Sequence, residues 1–314
     1  MELPDSSKKL KALFPEPDQG LKVSRAAQFA ADSYLEPTPG WVLGGGQNAN
    51  LTMRLRKIVW RQLRKPFVVP WLDGLKIYLY PGNETSRAIF VTGVYDPNEL
   101  SLLARVLKLG MTFVDAGANM GLYTLFAAKN VGESGTVLAI EPSQREVGII
   151  RRNLELNQLS NVVVAPVALS DRAAELELLV APIEKSGHNT LGAFGFDTPL
   201  DHRERVQAAR LDDLVREQKL ERVDVMKMDI EGGEEAALRG AAETIRSHHP
   251  VLFLELSHRS LQHQNSSAAR LLELMAHYGY RVHGYEASTG LPSSEPRPCS
   301  EENVIAVFGD KRLW

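Results

Sequence analysis

From about residue 97 the chain alternates short apolar runs with segments of helical spacing. The runs cover residues 112–114, 136–140, 162–164, 223–226, 251–254 and 304–308, and most lack in/out alternation. Such strands are buried on both faces, as in a parallel sheet covered by helices. Between them, Val147, Ile150 and Leu154 are spaced three and four apart, as are Leu238, Ala241 or Ala242, and Ile245. Leu271, Met275 and Tyr278 repeat the spacing, with Ser266 or Ser267 as an N-cap and Gly279 as a stop. The βαβαβ order predicts an α/β fold built on a doubly wound, Rossmann-like sheet.

An insertion breaks the alternation at about residues 172–210. It holds a strand-like run (175–180), a Gly-rich segment (186–196) and a second extended stretch ending at Leu211. Loops past the C-terminal strand ends form the crevice of such sheets, so the insertion is expected to face a substrate. Before residue 95 the pattern is irregular. Pro15, Pro17, Pro37, Pro39 and Gly44 to Gly46 read as loops, and two stretches, 75–80 and 88–91, read as strands. The expected organisation is an N-terminal extension over 1–94 and an α/β domain over 95–314.

Composition narrows the function classes. Hydrophobic residues are 44% and charged residues 24%, a globular balance, and Lys+Arg 36 against Asp+Glu 39 leaves a net charge of −3. That is a poor footprint for a nucleic-acid binder. The single cysteine, Cys299, excludes an internal disulfide and a Cys-rich zinc site. No uncharged apolar run approaches the roughly 18 residues that span a bilayer, and no secretory signal is visible. The expectation is a soluble cytoplasmic protein.

The most informative segment follows the run at 112–114. Asp115, Gly117, Asn119 and Gly121 form a D-x-G-x-N-x-G loop between a strand and a helix, where small residues admit close backbone approach to a ligand. A dinucleotide fingerprint would place glycines at 119 and 122, where this chain has Asn119 and Leu122. The loop suits a nucleoside without phosphates. Glu141 ends the next strand, close to the distance at which an acid meets ribose hydroxyls.

At these positions the chain resembles a class I S-adenosylmethionine-dependent methyltransferase, and specifically the FkbM family. The resemblance rests on residues 115–124, 139–142, Asn153 with Asn157, 168–171, 210–214, 227–234 and Glu255, in that order. Two positions depart: Asp96 stands where the family usually has Glu, and Gly233 where Ala is commoner. Residues before 95 find no match. The resemblance implies a seven-stranded sheet, S-adenosyl-L-methionine as methyl donor, and O-methylation, often of a sugar hydroxyl. It also implies that Asp115, Gly117, Asn119 and Gly121 surround the methionine end, that Glu141 holds the ribose, and that Asp171 accepts from the adenine amino group. For Asp171 an ordinary turn role weighs equally.

A second segment, 226–234, follows the fourth strand. Asp229 and Glu231 share a face if extended geometry continues to residue 231. Both are candidates for orienting an acceptor hydroxyl and removing its proton. Lys227 pairs with one of them or contacts an acceptor, and Glu234 reads as a helix-start residue. Two carboxylates without a third ligand do not make a metal site, so none is assigned. His188, in the insertion, is a candidate base, and Glu255 and His258 are candidates for the acceptor pocket.

Arg54, Arg56, Lys57, Arg61, Arg64 and Lys65 form a basic stretch with apolar residues among them. It reads as a helix with a solvated basic face, with docking on an anionic membrane as the alternative. The expected activity is methyl transfer to a hydroxyl of a saccharide or glycosylated small molecule. The rivals are O- or N-methylation of another metabolite, and a non-catalytic binding module.

Overall fold

The computed structural model describes residues 49–195, 197–285, 291–293 and 303–309. Cys299 and the proline-rich stretch before residue 49 lie outside them. The chain divides into two units, Met1–Pro97 and Asn98–Trp314.

In the first unit, helix α1 (Ala49–Trp60) precedes an antiparallel pair, β1 (Phe67–Pro70) and β2 (Lys76–Leu79). Its aromatic core sets the Trp60 ring 5.5 Å from Phe90, with Phe67 edge-on to Phe90 at 5.7 Å. The strand expected at 75–80 is β2. The strand expected at 88–91 is wrong, because those residues belong to helix α2 (Glu84–Thr92). Asn83 caps α2 by accepting from the Ser86 amide at 2.8 Å, and the buried positions Ser86, Ile89 and Phe90 recur at helical spacing. A four-residue apolar run cannot by itself separate strand from buried helix.

The second unit begins with α3 (Pro97–Val106), β3 (Thr112–Ala116), α4 (Leu122–Val131), β4 (Thr136–Ile140), α5 (Gln144–Asn157) and β5 (Val162–Ala165). Next come β6 (Ala168–Leu169), β7 (Ala174–Val180), β8 (His202–Ala209), α6 (Leu211–Glu217) and β9 (Val225–Met228). The rest is α7 (Glu234–Arg239), α8 (Ala242–His248), β10 (Val251–Glu255), α9 (His258–His263), α10 (Ala268–His277), β11 (Tyr280–His283) and β12 (Asn303–Phe308). Seven strands form the main sheet in the order β11-β12-β10-β9-β3-β4-β5, a Rossmann-like α/β sheet. Only β12 is reversed, antiparallel to both β10 and β11. Every residue of β3 and β9 is buried, so the sheet centre is covered on both faces.

The insertion's β7 and β8 join β6, which precedes the insertion, in a separate sheet of order β6-β8-β7. The single helix expected around 238–245 is two, α7 and α8. Gly240 interrupts it where the chain touches Ser170, whose carbonyl oxygen lies 2.0 Å from where a Cβ would sit. The new N-terminus is capped from elsewhere: Asp212 accepts from the amides of Glu243 (3.1 Å) and Thr244 (2.9 Å). Among the described residues no helix is long and apolar enough to cross a membrane.

Successive strands run outward from β3 in both directions, to β4 on one side and β9 on the other. The crevice at that switch point is where α/β sheets bind ligands.

Candidate active site

The loop after β3 is pinned on three sides. The amides of Gly117 and Ala118 donate to the Ile140 carbonyl at 3.0 and 3.1 Å, and the Asp229 amide donates to Ala116 O at 3.1 Å. Buried Asn153, from α5, donates to Met120 O at 2.9 Å. Gly117 (φ +79) and Gly121 (φ +84) take left-handed conformations that favour glycine. Asp115 is fully buried, accepts from Thr124 Oγ1 at 2.6 Å, and has its pKa raised by burial.

Glu141 closes this loop from β4. One oxygen accepts from the Asn119 amide at 2.9 Å and the other from the Ser143 amide at 3.0 Å. Burial, with the nearby charge of Glu146, pushes its pKa up to about 8 against those two bonds. Each oxygen keeps a second lone pair.

Beyond β9 the chain does not stay extended. Glu231 is left-handed (φ +53) and Gly232 follows at φ +101. Asp229 and Glu231 therefore do not meet along a strand face, as the sequence suggested; the turn brings them together instead. Glu255, at the end of β10, joins them, and the three offer carboxylate oxygens all within 4.8 Å of one another. The third carboxylate that the sequence did not reveal as a ligand is thus present, and these are the residues that could hold a divalent cation. Lys227 already counters part of their charge: its Nζ lies 2.9 Å from Asp229 and 4.6 Å from the Tyr123 ring centroid.

Lys227 also sets the protonation pattern. Burial alone would raise the pKa of Asp229, but the charge and hydrogen bond of Lys227, with a hydrogen bond from Glu255, bring it below the usual value. The charge of Asp229 and then burial raise Glu255 well above the carboxylate range. Burial and then Asp229 push Glu231 up to about 8. At neutral pH Asp229 is ionised, beside a Glu231 that is mostly protonated.

Glu231 is held firmly. Ser260 Oγ donates to its carboxylate at 2.9 Å, while Thr190 Oγ1 and Gln264 Nε2 donate to its carbonyl oxygen, each at 3.0 Å. Glu234 is buried and accepts from the amides of Ile230 (3.0 Å) and Gly232 (3.3 Å), a helix-start role as expected.

Gly117, Asn119, Glu141, Asp229 and Glu231 border a solvent-open cleft, whereas Lys227 and Glu255 are not among its lining residues. The insertion contributes Ser186, Gly187, Asn189, Thr190 and Leu191 to its wall. Ser186 donates to the Asn119 side chain at 3.3 Å and Asn189 to Glu146 at 3.3 Å. Among the described lining residues Glu141, Asp229 and Glu231 are acidic and none is Lys, Arg or His. With Glu141 and Glu231 mostly protonated near neutral pH, Asp229 is the ionised acid of this lining, and Ile140, Val167 and Leu169 are its apolar walls.

Several sequence candidates fall elsewhere. Asp171 is not among the lining residues and pairs with Arg172 at 3.4 Å on the surface. His258 is exposed and bonds Gln262 at 2.8 Å. His188 Nδ1 bonds Thr198 Oγ1 at 2.6 Å and does not line the cleft, although its neighbours do. Ser260, Thr190, Gln264 and Tyr123 were missed. Their roles come from cross-loop contacts that no spacing announces.

Fold and cleft together define a methyltransferase of the Rossmann-like class. The Methyltransferase FkbM domain profile matches residues 115–282, and the chain belongs to the FkbM methyltransferase family. Methyltransferase 1 of Beauveria bassiana is 32% identical over 143 residues, 40% of this chain and 57% of that protein. Methyltransferase sdnD of Sordaria araneosa is 32% identical over 160 residues, 41% of this chain and 60% of that protein. The chain thus spans about three-fifths of these curated relatives. The crystal structure of Methyltransferase FkbM from Methylobacillus flagellatus KT is 16% identical, with a TM-score of 0.40, over 83% of this chain and 60% of that one. S-adenosyl-L-methionine is the cofactor, and the ionised Asp229 in the lining fits its positive charge.

Proposed function

We propose that the protein transfers a methyl group from S-adenosyl-L-methionine to a hydroxyl, on a saccharide or a glycosylated small molecule. The observation that carries this reading is the carboxylate cluster beside the glycine loop: Asp229, Glu231 and Glu255, with Lys227 tuning Asp229. Bound S-adenosylmethionine supplies an activated methyl group, so the chain's task is alignment and proton removal. The Gly117–Gly121 loop and Glu141 would hold the cofactor, Glu141 accepting from the ribose hydroxyls.

Asp229 is the ionised carboxylate at neutral pH, and its side chain is 39% exposed. It would take the hydroxyl proton as that oxygen bonds the methyl carbon and the methyl–sulfur bond breaks, the thioether leaving, a contribution of about 10²–10⁴ in rate. Glu231, mostly protonated at neutral pH, donates to a neighbouring acceptor oxygen. Three carboxyl groups so close match a polyhydroxylated acceptor better than an apolar one. The protein is a small-molecule enzyme in this reading, with no role for nucleic acid.

The test is turnover of S-adenosylmethionine by the purified protein with a panel of sugars and glycosides, read by mass spectrometry of the acceptor. A methyl ether on a sugar supports the proposal. Methylation of amines alone, or cofactor binding without turnover on any hydroxyl acceptor, overturns it.

A further inference from the structure

Helix α1 is turned the wrong way for a simple cover over apolar residues. Its buried positions include Arg56 and Trp60, with Arg56 only 4% exposed, while Leu55 and Ile58 stand 48% and 54% exposed. Leu55 and Ile58 are three apart and adjoin on one face. Exposed Arg54, Lys57 and Arg61 flank that pair, and exposed Arg64 and Lys65 follow in the next turn. The Arg64 guanidinium folds back on the carbonyls of Arg61 (2.6 Å) and Leu63 (2.9 Å). No Asp or Glu occurs between residues 49 and 72. Among the described residues, none of these five cations has a carboxylate partner.

Scattered exposed leucines are ordinary on protein surfaces. An apolar pair beside five cations without a described carboxylate partner, two on the helix and three just after it, is not, and a solvated basic face gives Leu55 and Ile58 no role. A nucleic acid would use the cations but not the aliphatic pair, and Trp60, the aromatic side chain of this helix, is buried. A bilayer surface uses both: lipid phosphates meet the cations, and the aliphatic side chains enter below the headgroups.

We propose that α1 and the turn after it form a reversible anchor for anionic phospholipid surfaces, with Leu55 and Ile58 inserting and Arg54, Lys57, Arg61, Arg64 and Lys65 contacting phosphate. With two apolar side chains and a single short helix, the attachment is weak and depends on ionic strength. It is independent of the methyl-transfer reading.

The test is co-sedimentation of the full chain with two vesicle types: phosphatidylglycerol and phosphatidylcholine in equal parts, and phosphatidylcholine alone. The expected result is binding to the mixed vesicles only, lost in high salt. Arg54→Gln, Lys57→Gln and Arg61→Gln together should weaken it by about a hundredfold. Leu55→Ser with Ile58→Ser should weaken it by at least about tenfold. All five positions are exposed, so circular dichroism and the thermal transition should match wild type. Equal binding to both vesicle types, binding to neither, or wild-type binding by the Leu55/Ile58 variant overturns the proposal. Tighter binding to a single-stranded RNA oligonucleotide than to the mixed vesicles overturns it in favour of nucleic acid.

Discussion

Gly117 and Asp229 touch so closely that a Cβ at residue 117 would lie 1.9 Å from the Asp229 carbonyl oxygen. The glycine loop and the carboxylate turn are therefore one packed unit, and neither can move without the other. Gly117→Ala adds a left-handed penalty of about 1–2 kcal/mol to an overpacking cost of about 1–3 kcal/mol. Urea unfolding should show the midpoint falling with the slope unchanged. Calorimetry should show S-adenosylmethionine binding lost even where the variant is folded.

Asp229 and Glu231 should respond differently to isosteric neutralisation. Asp229→Asn removes the ionised group and should lower kcat by about 10²–10⁴. Glu231→Gln resembles the protonated form that prevails below about 8 and should keep most of the neutral-pH activity. Above about 8 the wild-type Glu231 loses its proton and places a second negative charge beside Asp229. Wild-type kcat/KM should then fall on the alkaline side, and the Glu231→Gln profile should stay flat. Rates measured at saturating cofactor distinguish the two.

Proton linkage offers a test at Glu141. Its carboxyl is raised to about 8 in the free protein, so it is mostly protonated at neutral pH. Ribose hydroxyls donating to it, and a nearby sulfonium, favour the ionised form. Binding should therefore release up to about one proton at neutral pH, and affinity should rise with pH until the free group ionises. Calorimetry in buffers of different ionisation enthalpy reads the proton count directly. No release, or uptake, contradicts the assignment.

Ser260 is a positioning residue. Its hydroxyl donates to Glu231 at 2.9 Å and accepts from Ser257 Oγ at 3.0 Å. Ser260→Ala should lower kcat by about tenfold and move the alkaline limb to higher pH, because a bond that favours ionised Glu231 is gone. Ser260→Thr should restore part of both. A purely structural role would leave the limb in place.

Asp212 gives the stability counterpart, far from the cluster in sequence. Besides the two amides it accepts from Thr244 Oγ1 at 2.8 Å and Arg210 at 2.8 Å. Asp212→Ala leaves buried donors at the start of α8 without acceptors and should cost about 2–4 kcal/mol in chemical denaturation. Asp212→Asn should cost less, since one acceptor oxygen remains.

Legibility followed the range of the interactions. The runs at 136–140 and 251–254 became β4 and β10 because continuous burial is a property of the run itself. Ser267 and Gly279 bound α10 as expected, since caps act within one turn. The glycine loop and Glu141 were readable for the same reason. Residues 88–91 misled because burial of a four-residue run fits either element. Glu255 was seen as a pocket residue but not as the third acid of a cluster, since β10 and β9 become neighbours only through the parallel register. Ser260, Thr190 and Gln264 carry no signal at all, because each acts on Glu231 across a loop.

The position of β12 sets a timetable for folding. This strand follows the other six strands of the sheet in sequence, yet it lies inside the sheet, hydrogen-bonded to β10 on one side and β11 on the other. Until residues 303–308 arrive, two ladders stand open, and their unpaired edges are sticky. The sheet can therefore be completed only after residues 303–308 are made, and a nascent chain stopped short of that strand should be prone to aggregate.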